Sequence, residues 1–221
     1  MKTILTFLFI LMFLLSGCST KTTPRQIKKF EEVLGKHNSE TLSFLVQSFE
    51  NDFLIKKYPN RTTQKAYENF LNDISKGDFS HYVLISKKNR KLFEESQLKW
   101  EIYTCADSIW IDDNLVKSFL SFKRDGKKIR TTEVATSIHK DENIDSVLSS
   151  YQERCDHNRQ GKFIKAVKEI KSDNRFLEDY YHLKDMAGNL GNTLIPEMVS
   201  RNNANIEDYM VKRILVLELV Y

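Results

Sequence analysis

The sequence has 221 residues, with 34 Lys plus Arg against 30 Asp plus Glu, a formal net charge of +4 and 41% hydrophobic residues. Seven Gly, three Pro and three Cys exclude a collagen-like chain, a disordered one and a scaffold built on disulfides. So even a charge balance also lacks the concentrated basic surface of a nucleic-acid-binding protein, and no nucleic acid partner is expected.

Lys2 gives the N-terminus a positive charge, Ile4 to Leu15 run apolar except for Thr6, and Ser16-Gly17-Cys18 close the run with small residues and a thiol. This is the layout of a signal peptide, because a stable membrane-spanning helix needs about 20 apolar residues. Leu15-Ser16-Gly17-Cys18 resembles the lipobox of bacterial lipoproteins, a resemblance confined to residues 1–18. It implies a diacylglyceryl group on the Cys18 thiol, removal of residues 1–17, and a further acyl chain such as palmitate on the new amino terminus. Two or more chains, at about 0.8 kcal/mol per buried CH₂, anchor durably where one does not. Residues 18–25 then serve as anchor and polar tether, and the six residues Ser19 to Pro24 reach about 20 Å when extended. No acidic residue directly follows Cys18, which favours the outer membrane facing the periplasm and leaves the cell surface open.

Residues 26–221 read as one α+β domain, mainly helical, with a small antiparallel sheet at about residues 98–136. Ile27, Phe30, Val33 and Leu34 form a first helical stripe, and Leu42, Leu45, Val46, Phe49 and Phe53 a second. After Tyr58-Pro59-Asn60, a third stripe runs through Ala66, Tyr67, Phe70, Leu71 and Ile74, so that the second and third make an αα-hairpin. Residues 82–85 suggest a short strand. Leu98, Trp100, Ile102 and Thr104 alternate with polar neighbours, residues 108–112 offer a further short strand, and residues 116–123 and 127–136 alternate on either side of Asp125-Gly126, a strong hairpin signal. Helical stripes return at Ile144 to Tyr151, Phe163 to Ile170 and Phe176 to Leu183. Residues 206–221 fit a last helix or, over Ile214 to Tyr221, a buried strand.

With Cys18 assigned to lipid, Cys105 and Cys155 remain: either a disulfide suited to an exported protein or two buried thiols acting as small hydrophobes. The five His are scattered without paired ligand spacing, so no metal site or other cofactor is called for. Nucleophile elbows, phosphate loops and dinucleotide fingerprints are absent from the sequence. Lys123, Arg124, Lys127, Lys128 and Arg130 crowd the expected hairpin tip, where they would either contact an anionic surface or form a solvated turn. The reading that follows is a membrane-anchored envelope lipoprotein, a non-enzymatic binding or structural module with an envelope protein or glycan as partner. Its competitors are a tethered hydrolase with a site assembled from distant residues and a periplasmic inhibitor or immunity protein.

Overall fold

The computed structural model describes residues 21–80, 85–138, 142–152, 155–172 and 174–221. The signal peptide, Cys18 and, except for Ile85, the strand suggested at residues 82–85 lie outside the described residues.

Helix α1, Pro24–Leu34, starts at a capping box: Thr23 and Gln26 satisfy each other's backbone N–H, and proline occupies the first turn, where no helical N–H is needed. Gly35, at φ 89°, turns the chain into α2, Lys36–Ser48. Instead of stopping there, α2 widens into a π-helical segment, Phe49–Leu54, and one last α turn, Ile55–Lys57. Thr62 caps α3, Thr63–Ser75, whose buried Ala66, Tyr67, Phe70, Leu71 and Ile74 are the expected stripe. Phe49 and Phe53 stack on each other, and both meet Phe70 edge-on, which closes the expected αα-hairpin.

Helix α4, Lys87–Glu95, precedes a correction to the sheet's start. Gln97–Ile102 forms a helix, α5, and strand β1 begins only at Tyr103. The physical reason is Ser96, whose side chain caps the Lys99 N–H, together with Leu98 and Ile102, both buried at an i, i+4 spacing that the two-residue alternation also satisfies. Glu101, which alternation would expose, is only 2% exposed and accepts the Lys162 N–H.

Strands β1, Tyr103–Asp112, β2, Leu115–Arg124, and β3, Lys127–Ser137, form an antiparallel meander; residues 108–112 belong to β1 rather than to a separate strand. Asp125 and Gly126 both take positive φ, the turn geometry that matches strand twist in a two-residue hairpin. After α6, Ile144–Gln152, a short β4, Cys155–His157, pairs with the start of β1, giving the order β3-β2-β1-β4. Three further helices follow: α7, Lys162–Ile170, α8, Arg175–Ala187, and α9, Leu194–Arg201. A Cβ at Gly161 would collide with the Glu101 carbonyl, so glycine there lets α7 start against α5.

The last segment is helix α10, Tyr209–Leu219, rather than a strand. Met210, Val211, Ile214, Leu215, Val216, Leu217 and Leu219 are all buried, so α10 is the central element of one hydrophobic core. The whole is a mostly helical single domain with a four-stranded antiparallel sheet flanked by helices. Among the described residues, no helix is long and apolar enough to cross a membrane.

Candidate functional site

The chain enters the body at Thr22, which is 4% exposed. Its backbone N–H donates to Asp208 Oδ2, and its hydroxyl donates to Asp208 Oδ1 at 2.7 Å. Asp208 is also the N-cap of α10 and accepts from the Met210 and Val211 N–H groups. One buried carboxylate therefore ties the first described turn to the central helix.

Along α10, Tyr209, Lys212 and Arg213 form a polar stripe in an otherwise apolar helix. Tyr209 donates to Glu31 Oε1 at 2.6 Å, and the Arg213 guanidinium lies 3.3 Å from the Tyr209 ring centroid. Arg213 also donates to the Tyr209 carbonyl and to Ser43 Oγ at 2.7 Å, while its Nε has no partner among the described residues. Lys212 meets Glu50 at 2.8 Å, and Glu50 accepts the Tyr67 hydroxyl at 3.2 Å. Burial pushes the Tyr209 and Tyr67 hydroxyls well above the usual tyrosine range, so both remain donors. Above this stripe α1 and α2 border an open groove of about 660 Å³, with Glu31, Ser43 and half-exposed Phe44 in its lining and Lys28 and Lys36 at its margins.

A second polar centre is closed. Lys184 Nζ donates to Glu218 Oε2 at 2.8 Å and the Tyr180 hydroxyl to Glu218 Oε1 at 2.6 Å, with the Lys184 and Glu218 side chains 1% and 4% exposed. At such burial each charge depends on its partner, since an unpaired ion would carry its full desolvation cost. Glu218, Tyr103, Asn189 and Tyr221 contribute to a smaller cavity of about 230 Å³. His157, opposite Tyr103 in the β1–β4 pair, is 3% exposed, and neither of its ring nitrogens has a hydrogen-bond partner among the described residues. Burial first, then the charges of Lys184 and Arg159, push its pKa down to about 3; the Ile102 backbone opposes this without meeting hydrogen-bond geometry.

A third cavity, about 280 Å³, opens where the π-helical segment passes α4 and the C-terminal Tyr221. Ser48 donates to Asp52 Oδ2, four residues on, and accepts from Asn89. The widened turn thus carries a side-chain hydrogen bond across its mouth.

Cys105 and Cys155 stand opposite each other in β1 and β4, with Cα atoms 4.1 Å apart, and are joined by a disulfide. The basic hairpin residues crowd the β2–β3 turn, with Lys123 opposite Lys128 and Arg124 opposite Lys127. Lys128 and Arg130 both meet Asp107, Lys128 also lies 4.7 Å from the Trp100 ring centroid, and Arg130 lies over Phe119. Lys123 donates to Gln97, while Arg124 and Lys127 pair across the turn itself. Cys18 lies outside the described residues. Among the described residues no three His, Cys, Asp or Glu gather as ion ligands.

Sequence reasoning assigned no role at a site to Asp208, Arg213, Lys184 or Glu218. The last three interrupt apolar stripes, and a charge inside such a stripe is the signal that would have marked them. Comparison with family models, curated proteins and solved structures finds no match for this chain.

Proposed function

We propose that this chain is a lipid-anchored bacterial envelope protein that binds a partner, an envelope protein or a glycan, rather than turning over a substrate. In this reading Cys18 carries the lipid and the body faces the periplasm at the outer membrane. The observation that carries it is the ordered sequence of Lys2, the apolar run from Ile4 and the closing Leu15-Ser16-Gly17-Cys18. The disulfide between Cys105 and Cys155 supports it independently, because such bonds persist outside the reducing cytoplasm. It also leaves Cys18 as the single remaining thiol, free for acylation.

The test is metabolic labelling with an alkynyl fatty acid, followed by mass spectrometry of the mature N-terminus. The expected product begins at Cys18 and takes the label, and Cys18→Ala takes none. A wild-type protein that starts elsewhere, or stays unlabelled, removes the reading.

A further inference from the structure

The structure fixes how far the body can stand from a lipid on Cys18. Only Ser19, Thr20 and Lys21 separate Cys18 from Thr22, whose backbone and side chain are both held by buried Asp208. Four Cα-to-Cα steps span at most about 14 Å, whereas the polar tether that the sequence suggests runs on to Pro24, past the held Thr22. Resting on the lipid-anchor reading, we infer that the surface formed by the first turns of α1 and the end of α7 lies flat on an anionic bilayer.

Two observations select that surface. The first is position: Thr22 immediately precedes α1, and Gln26 Nε2 donates to the Ile170 carbonyl at 2.8 Å and the Ser172 carbonyl at 3.1 Å, which sets the end of α7 beside the first turn of α1. The second is charge. Arg25, Lys29 and Lys168 are exposed here, against exposed Glu169 and Glu207. Lys171 and Lys28 add little, since they face Glu178 and Glu32. A screened charge acts over about 8–10 Å, somewhat less than the full reach of about 14 Å, so this surface enters the field of the headgroups whenever the connection is less than fully extended. The basic hairpin is placed less well. Its turn meets α7 near the helix start, through Lys165 and Asp125 at 2.9 Å, and its Lys128 and Arg130 already face Asp107.

The test couples the chain from Cys18 onward, which contains every described element, to vesicles through a maleimide lipid on Cys18. Vesicles of phosphatidylcholine alone are compared with vesicles containing phosphatidylglycerol, and lysine acetylation is read by mass spectrometry. On anionic vesicles Lys29 and Lys168 should be acetylated several-fold more slowly than on neutral ones, with Lys127 and Lys128 unchanged. Each basic residue near an anionic surface strengthens binding about fivefold, so Arg25→Gln with Lys29→Gln should weaken co-sedimentation of the uncoupled, thiol-blocked chain on the order of 25-fold. Both residues are exposed, so the double variant should keep its melting temperature. Equal acetylation on the two vesicle types, or protection centred on the hairpin, overturns the inference. Because the coupling is chemical, the outcome is separate from fatty-acid labelling in cells: protection without labelling keeps the surface and removes the natural anchor, and labelling without protection does the reverse.

Discussion

His157 sits in the interior with both ring nitrogens unpartnered among the described residues and with Lys184 and Arg159 adding positive charge to its surroundings. In the folded protein its pKa falls to about 3, whereas in the unfolded chain it returns to the ordinary value of 6.5. As the pH drops through 6.5 the unfolded state takes up a proton that the folded state refuses, so stability falls with pH across the window from about 6.5 to 3 and is fully present above it. Between pH 7 and pH 5 the loss from this residue comes to about 2 kcal/mol. Urea unfolding at the two pH values should show that difference in the wild type, and His157→Leu should shrink it by about that amount. An unchanged pH dependence in the variant would mean that His157 protonates normally in the fold.

At the level of elements, α10 depends on a single residue for its start and for its link to the chain's entry. Asp208→Ala removes the cap of α10 and leaves the Thr22 N–H and hydroxyl buried without acceptors, so it should cost about 2–4 kcal/mol. Asp208→Asn, which keeps one side-chain oxygen, should cost less. Amide exchange at Thr22 should speed up in both variants more than exchange in the middle of α10, which distinguishes a lost latch from general weakening. The sequence made α1, α2, α3, α7 and α8 legible because their apolar residues recur every three or four positions against polar neighbours. It left α10 open to a strand reading because a helix buried on nearly every side loses that contrast. The start of β1 was misplaced because Leu98 and Ile102 satisfy a two-residue and a four-residue spacing alike, and Ser96 as a cap was the deciding signal. Helix α9 was hidden by Pro196, which nonetheless fits the first turn, where helical N–H groups have no intrahelical partner. Of the candidate residues, the two cysteines were visible as a pair once Cys18 was set aside, with a disulfide and two buried thiols left as alternatives. The Asp208 latch and the Lys184–Glu218 pair were not, because each joins elements far apart in the chain.

For the molecule as a whole, the disulfide matters more than its place in a three-residue strand suggests. β4 is too short to hold itself to β1 by backbone pairing alone, and the Cys105–Cys155 bond closes a loop with a sequence separation of 50 that contains β2, β3 and α6. In the chain-entropy account, closing a loop of that size stabilises the folded state by about 4 kcal/mol. Set against the roughly 5–15 kcal/mol that holds a typical domain together, this is a large share, yet less than the whole for a core centred on α10. The reduced protein should therefore stay folded at room temperature and melt about 8–16 °C lower than the oxidised one. Cys105→Ala with Cys155→Ala, measured without reductant, should reproduce that drop, and adding dithiothreitol to the double variant should change nothing further. If reduction left the melting temperature of the wild type unmoved, the bond would be absent from the purified protein or without consequence for it, and the support it lends to export from the cytoplasm would go with it.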